Sequence, residues 1–158
     1  MKTKMTIIIA VILVLFAGLF VANNYKNKQA IQGVDNPYGK DNLRQETIDL
    51  LDNPLYNNII VPEALDEKIE SGDPVTVYFF SPTCSFCQKT TPIVAPLAEE
   101  LNIDMKKMNL LEFDKMKYYN IEGTPTIVHY DNGEEIARIV GQQEEDDFRI
   151  FFEEFVLK

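Results

Sequence analysis

Cysteine is scarce in this chain and histidine scarcer: two cysteines and one histidine stand among 158 residues. A structural zinc site usually takes four Cys or His ligands, so Cys84, Cys87 and His129 fall short of a tetrahedral set within one chain. Basic residues are few as well. Beyond residue 40 the chain carries ten Lys or Arg against 24 Asp or Glu, a poor surface for phosphate backbones, which excludes nucleic-acid binding. The acidity reads as solubility beside a membrane. Internal repeats and low-complexity segments are absent.

Against this background one long apolar run stands out. Met5 to Ala22 (MTIIIAVILVLFAGLFVA) is 18 residues without a charge, preceded by Lys2 and Lys4. As an α-helix rising 1.5 Å per residue it spans roughly 27 Å, enough for a bilayer core of about 30 Å. Phe20 spoils the small-x-small pattern of a signal-peptidase site, and no cysteine follows for lipid attachment. The run therefore reads as an uncleaved signal anchor over residues 1–22 rather than a removed leader, with membrane lipid in contact with residues 5–22. Lys2 and Lys4 stay in the cytoplasm by the positive-inside bias, although Lys26 and Lys28 pull the other way, and the remainder crosses to an extracytoplasmic, disulfide-permissive side.

Asn23 to Lys40 is polar and aperiodic, with Gly33, Pro37 and Gly39, and reads as a flexible spacer. Asp41 to Asp52 puts Leu43, Thr47, Leu50 and Leu51 on one face of a short helix, ended by Asn53-Pro54. Residues 23–55 thus form a linker, and residues 56–158 a domain in which strands and helices alternate. The pattern predicts a short strand at Ile59 to Val61, a helix at Pro62 to Glu70 and a fully buried strand at Val75 to Phe80. It continues with a helix at Cys84 to Leu101 interrupted by Pro92 and Pro96, a strand at Ile103 to Asn109 and a helix at Glu112 to Tyr119. Thr126 to Tyr130 and Glu134 to Val140 flank Asn132-Gly133, a strong hairpin signal for antiparallel neighbours. Glu144 to Leu157 reads as a closing helix, acidic at its start, with Phe148, Phe151, Phe152 and Phe155 as its buried stripe.

Cys84-Ser85-Phe86-Cys87 stands where a strand feeds a helix. Two thiols so spaced can close and reopen a small disulfide ring, and a helix N-terminus favours the thiolate that starts exchange. A static bridge is the plainer alternative, but closing so short a loop stabilises less than closing a long one. The redox reading needs no cofactor, because the electrons reside on the sulfur pair.

The order of elements, the Cys84-Ser85-Phe86-Cys87 motif, Pro92 five residues past the second cysteine and Gly123-Thr124-Pro125-Thr126 opening the next strand together resemble the thioredoxin family. Val140-Gly141 and Asn132-Gly133 also match, and the resemblance covers Tyr56 to Lys158. It implies an α/β thioredoxin fold, a central mixed sheet flanked by helices, and a thiol-disulfide oxidoreductase acting as a monomer. It further implies Cys84 as the exposed attacking thiolate, Cys87 as the buried resolving thiol, and a cis-proline turn whose Thr124 and Pro125, with Ser85 and Phe86, contact the client. Partners would be proteins bearing thiols or disulfides, and a redox partner in or at the membrane. The 37 residues between Cys87 and Pro125 leave no room for the helical insertion of periplasmic oxidases of this fold, and the pattern is similar to minimal membrane-anchored thioredoxins.

Departures from the family pattern bear on the chemistry. Tyr78 stands where the family buries an aspartate, and Thr83 stands where it has tryptophan. Lys107 matches the lysine that accompanies that aspartate, and Glu122 lies beside the proline turn, where it would disfavour a thiolate it faced. His129 reads as a histidine packed at the sheet. Two other functions compete with redox exchange: a peptide-binding assembly or export accessory module, and a metallochaperone using the cysteines with His129.

Overall fold

The computed structural model describes residues 2–31 and 36–158. Helices α1 (Lys2–Ile31), α2 (Gln45–Ile48) and α3 (Pro62–Ser71) precede strand β1 (Val75–Phe80) and helix α4 (Ser85–Glu100). Strands β2 (Met105–Asn109), β3 (Thr126–Asp131) and β4 (Glu134–Val140) and helix α5 (Glu145–Phe151) follow. The four strands form one sheet in the order β2-β1-β3-β4. β1 runs parallel to β2 and antiparallel to β3, and β3 and β4 form the antiparallel hairpin.

β1 is buried along its whole length, as befits a β-branched and aromatic central strand covered on both faces. Its side chains alternate between two cores. Val75, Val77 and Phe79 join Leu65, Met108, Val128, Tyr119 and Ile121 on one face. Tyr78 and Phe80 join Cys87, Val94, Leu97, Ile127, Phe148 and Phe152 on the other. α3 therefore covers one side of the sheet, and α4 and α5 the other. Pro62 opens α3 and Gly72, at φ 79°, closes it, the two positions where these residues suit a helix best. Asn132 and Gly133, at φ 50° and 82°, supply the paired left-handed residues of a tight hairpin.

The prolines do not interrupt α4. Pro92 and Pro96 lie one turn apart on its solvent face, so the carbonyls of Gln88 and Pro92 that lose their amide donors reach water.

The linker departs most from expectation. α1 runs on to Ile31, so the first half of the expected spacer is helical, and Gly33 lies outside the described residues. Residues 41–52 yield only the single turn α2, yet Leu43 and Thr47 are buried. Ile59 makes one parallel bridge to Lys107 instead of a strand. Glu112 to Tyr119 forms a chain of turns rather than a helix: Asn109 Oδ1 accepts the amide of Leu111 at 3.0 Å, Asn120 is left-handed, and Tyr119 packs against Phe79. Beyond α5 the chain widens into a π-turn, Phe152–Val156, and Phe155 is 42% exposed. The wider turn changes the angular step between residues, so Phe155 falls off the stripe that Phe148, Phe151 and Phe152 maintain.

Candidate active site

β1 ends at Phe80, three loop residues follow, and Cys84 becomes the N-cap of α4. Its sulfur accepts the backbone N–H of Cys87 at 3.3 Å. On the other side the Cys84 thiol donates to the Thr124 carbonyl at 3.2 Å, and the Thr124-Pro125 bond is cis. The site therefore joins two segments 40 residues apart. Gly141 N–H bonds the Pro125 carbonyl at 2.8 Å, which ties this loop to the end of β4.

The two cysteines, both free thiols, occupy unequal environments. Cys84 is partly exposed and Cys87 is fully buried. Burial raises the Cys84 pKa, but the Cys87 thiol, the Thr124 side chain and the amides of Cys87 and Phe86 outweigh it, and the net shift is downward. Burial pushes Cys87 up to about 12, and its hydrogen bond with Cys84 adds to the rise. One sulfur is poised to ionise and the other to stay a thiol.

Two hydrogen bonds beneath the pair fix where the protons of Thr91 and Tyr78 go. The Thr91 hydroxyl donates to the Cys87 carbonyl at 2.8 Å, which spends its single proton. The Tyr78 phenol, 3.0 Å away, must therefore donate to Thr91. Tyr78 also neighbours the Cys87 thiol, and burial above all holds its own pKa far above the ordinary range. At neutral pH it can accept a hydrogen bond from Cys87 but cannot take its proton. Tyr78 thus sits beneath the motif, and Thr91, four residues past Cys87 on the buried face of α4, carries no motif signal of its own.

Ser85 and Phe86 are exposed on the first turn of α4, Phe86 by 56%. Lys107 pairs with Tyr78 in the β1–β2 register, but its ammonium turns to the Asn57 carbonyl at 3.0 Å and Asn57 Oδ1 at 3.3 Å. Burial lowers its pKa to about 8. It lines an open pocket of ≈ 570 Å³ with Asn57, Pro96, Glu99 and Asp104. Glu122 is exposed, and its charge acts on Arg138. His129 bonds Thr76 Oγ1 at 2.9 Å, at the start of β1 and thus the opposite end of the sheet from Cys84, so it does not complete a ligand set with the cysteines. Among the described residues no three His, Cys, Asp or Glu side chains gather as a metal site.

The thioredoxin family model matches residues 57–154, well over half of the sequence. The chain belongs to the thioredoxin family. It is 37% identical over 90 residues to a thioredoxin of Chlamydia pneumoniae, a match covering 56% of this chain and 87% of that protein. It is 33% identical over 95 residues to a thioredoxin of Rickettsia prowazekii, covering 58% and 90%. A solved mutant thioredoxin from Halobacterium salinarum superposes with a TM-score of 0.53 at 28% identity, covering 61% of this chain and 87% of that one. The fold is that of thioredoxin, and the activity at the general level is thiol-disulfide oxidoreduction. The N-terminal helix is additional to the matched segment; its residues 4–29 are long and apolar enough to cross a membrane or serve as a signal anchor.

Proposed function

We propose that this thioredoxin-family protein is tethered by α1 to the cell membrane and exchanges disulfides with extracytoplasmic client proteins through Cys84 and Cys87. The observation that carries the reading is the unequal pair: a partly exposed, acidified Cys84 at a helix N-cap over a buried Cys87 held as a thiol. The Cys84 thiolate attacks one sulfur of a client disulfide, forming an S–S bond to it and releasing the other client sulfur as a thiolate. Cys87 then gives up its proton and attacks Cys84, which expels the second client sulfur and closes the Cys84–Cys87 disulfide. The client gains two electrons and two protons, and the pair loses them. This is the reductive direction, and the reverse sequence oxidises a client dithiol. Thr124 offers its backbone beside Cys84 for an extended client segment to pair with, while Pro125, Ser85 and Phe86 complete the contact surface.

Trapping tests the roles. Cys87→Ser should accumulate client mixed disulfides on Cys84, whereas Cys84→Ser should not; the opposite result reverses the assignment. In intact wild-type cells an impermeant thiol reagent should label Cys84 after reduction, and labelling only after lysis would place the domain in the cytoplasm. A Cys84→Ser, Cys87→Ser double variant with full biological function would replace the redox reading with client binding alone.

A further inference from the structure

The segment before the family match is sewn to the domain at its redox end. Asn109 ends β2 opposite Phe80, the last residue of β1, and the Leu110 amide bonds the Phe80 carbonyl at 2.8 Å. Cys84 lies four residues beyond Phe80, hence within about 14 Å of it along the chain. At this end the buried Asn109 side chain donates to Thr47 Oγ1 at 3.1 Å and reaches the Tyr38 hydroxyl at 3.5 Å. Glu112, its carboxylate nearly enclosed, pairs with Lys40 and accepts the Arg44 amide at 2.8 Å. Leu50 and Tyr56 pack on the same core that holds Phe80 and Cys87. Residues 38–56 thus form a strap beside the cysteines.

The other side of this strap grips α1. The Asn27 side chain, 7% exposed, donates to the Leu43 carbonyl at 3.3 Å, and Asn42 donates to Asn24 Oδ1 at 2.8 Å. Asn24 and Asn27 lie about 3 and 7.5 Å along the helix past Ala22, where the apolar run ends. Phe20, the last large aromatic side chain of that run, shares a pocket with Arg44, Gln45 and Glu46. The strap therefore sits level with the end of the apolar run and not at the end of a long tether.

Resting on the tethered redox reading above, we infer that the strap holds the Cys84 edge of the domain toward the bilayer surface. The opposite pole, where Gly72 and Asn132 bond at 3.2 Å, points away from the membrane; a six-residue strand of about 20 Å separates the two ends.

The test uses the full chain in phosphatidylcholine liposomes containing lipid spin-labelled near the headgroup. A bimane fluorophore is placed on Cys84 in Cys87→Ser, or on the new thiol of Asn132→Cys in a Cys84→Ser, Cys87→Ser background. The Cys84 label should be quenched several-fold more than the label at position 132, and Asn24→Ala with Asn27→Ala should erase most of that contrast. Equal or reversed quenching overturns the orientation, and a contrast indifferent to the two asparagines overturns the strap as its cause. Exchange with dithiothreitol is measured in parallel. A protein that shows the contrast but does not exchange its cysteines keeps the geometry and loses the redox reading, whereas one that exchanges without the contrast does the reverse.

Discussion

The Tyr78 phenol lies where a proton acceptor for Cys87 would speed resolution, and its proton is committed to Thr91. Tyr78→Asp puts a carboxyl beneath the cysteine pair, where desolvation raises its pKa toward neutrality and makes it a base for the resolving thiol. The variant should resolve mixed disulfides faster at neutral pH and cost about 1 to 3 kcal/mol of stability, since the new group is buried with few partners. Stopped-flow exchange together with urea unfolding checks both; a folded variant that is slower at every pH means that Cys87 already has another base. Lys107 makes a second prediction. The lysine that resembles the aspartate's companion faces Tyr78 in register instead of a buried aspartate and is buried against Asn57, and burial lowers its pKa to about 8 against the weaker opposing pull of Asp104 and Glu99. Between about pH 8 and the ordinary lysine value near 10.4 the unfolded chain binds a proton that the folded chain has released, so stability should rise with pH across that window. Lys107→Met should raise the urea midpoint at pH 7 and flatten the rise; an unchanged slope would assign the pH dependence to other groups.

Elements whose fate is set by local chemistry were legible in the sequence. β1 could be read from six consecutive apolar or β-branched residues, α3 from its opening proline and closing glycine, and the hairpin from Asn132-Gly133. Elements decided by tertiary contact were not. Glu112 to Tyr119 has helical composition, but the Asn109 side chain and the burial of Tyr119 against Phe79 hold it as turns. The cysteines and the Thr124-Pro125 turn could be named from motifs, whereas Thr91 becomes relevant only once α4 lies on β1. The hairpin supplies a test with an internal control. Gly133 and Gly141 have nearly equal positive φ, 82° and 83°, but a Cβ at Gly133 would lie 3.3 Å from the Ile69 carbonyl and one at Gly141 meets nothing within 4 Å. Both Gly→Ala changes should cost about 1 to 2 kcal/mol from left-handed strain, and Gly133→Ala should cost more. Equal unfolding midpoints would show that α3 gives way freely to the hairpin.

For the molecule as a whole, the boundary of the matched family segment is not the boundary of the folded unit. The match begins at residue 57, and residues 23–55 read from composition as a linker with one short helix. The structure nevertheless buries Tyr38, Leu43 and Thr47 there, at 4%, 3% and 0% exposure, and packs Tyr56 at a tilt against Phe80. The spacing of Leu43, Thr47 and Leu50 marked a face to be buried, but not what covers it, because its partners are scattered side chains such as Asn109 at the end of β2. A chain of residues 57–158 should therefore be distinctly less stable than one of residues 36–158. Losing the burial of Leu43 alone is worth about 1.5 to 3 kcal/mol. Leaving the Asn109 amide without its Thr47 partner adds about 1 to 3 kcal/mol, less where water reaches the uncovered group. A combined loss of about 2.5 to 6 kcal/mol is a large part of the stability of a domain this size, so the shorter chain should show a much lower urea midpoint. Reduction of a small disulfide by the folded fraction should still proceed, since Cys84, Cys87 and Thr124 all lie within the shorter chain. Coincident unfolding curves for the two lengths would mean that the strap rests on the domain without supporting it.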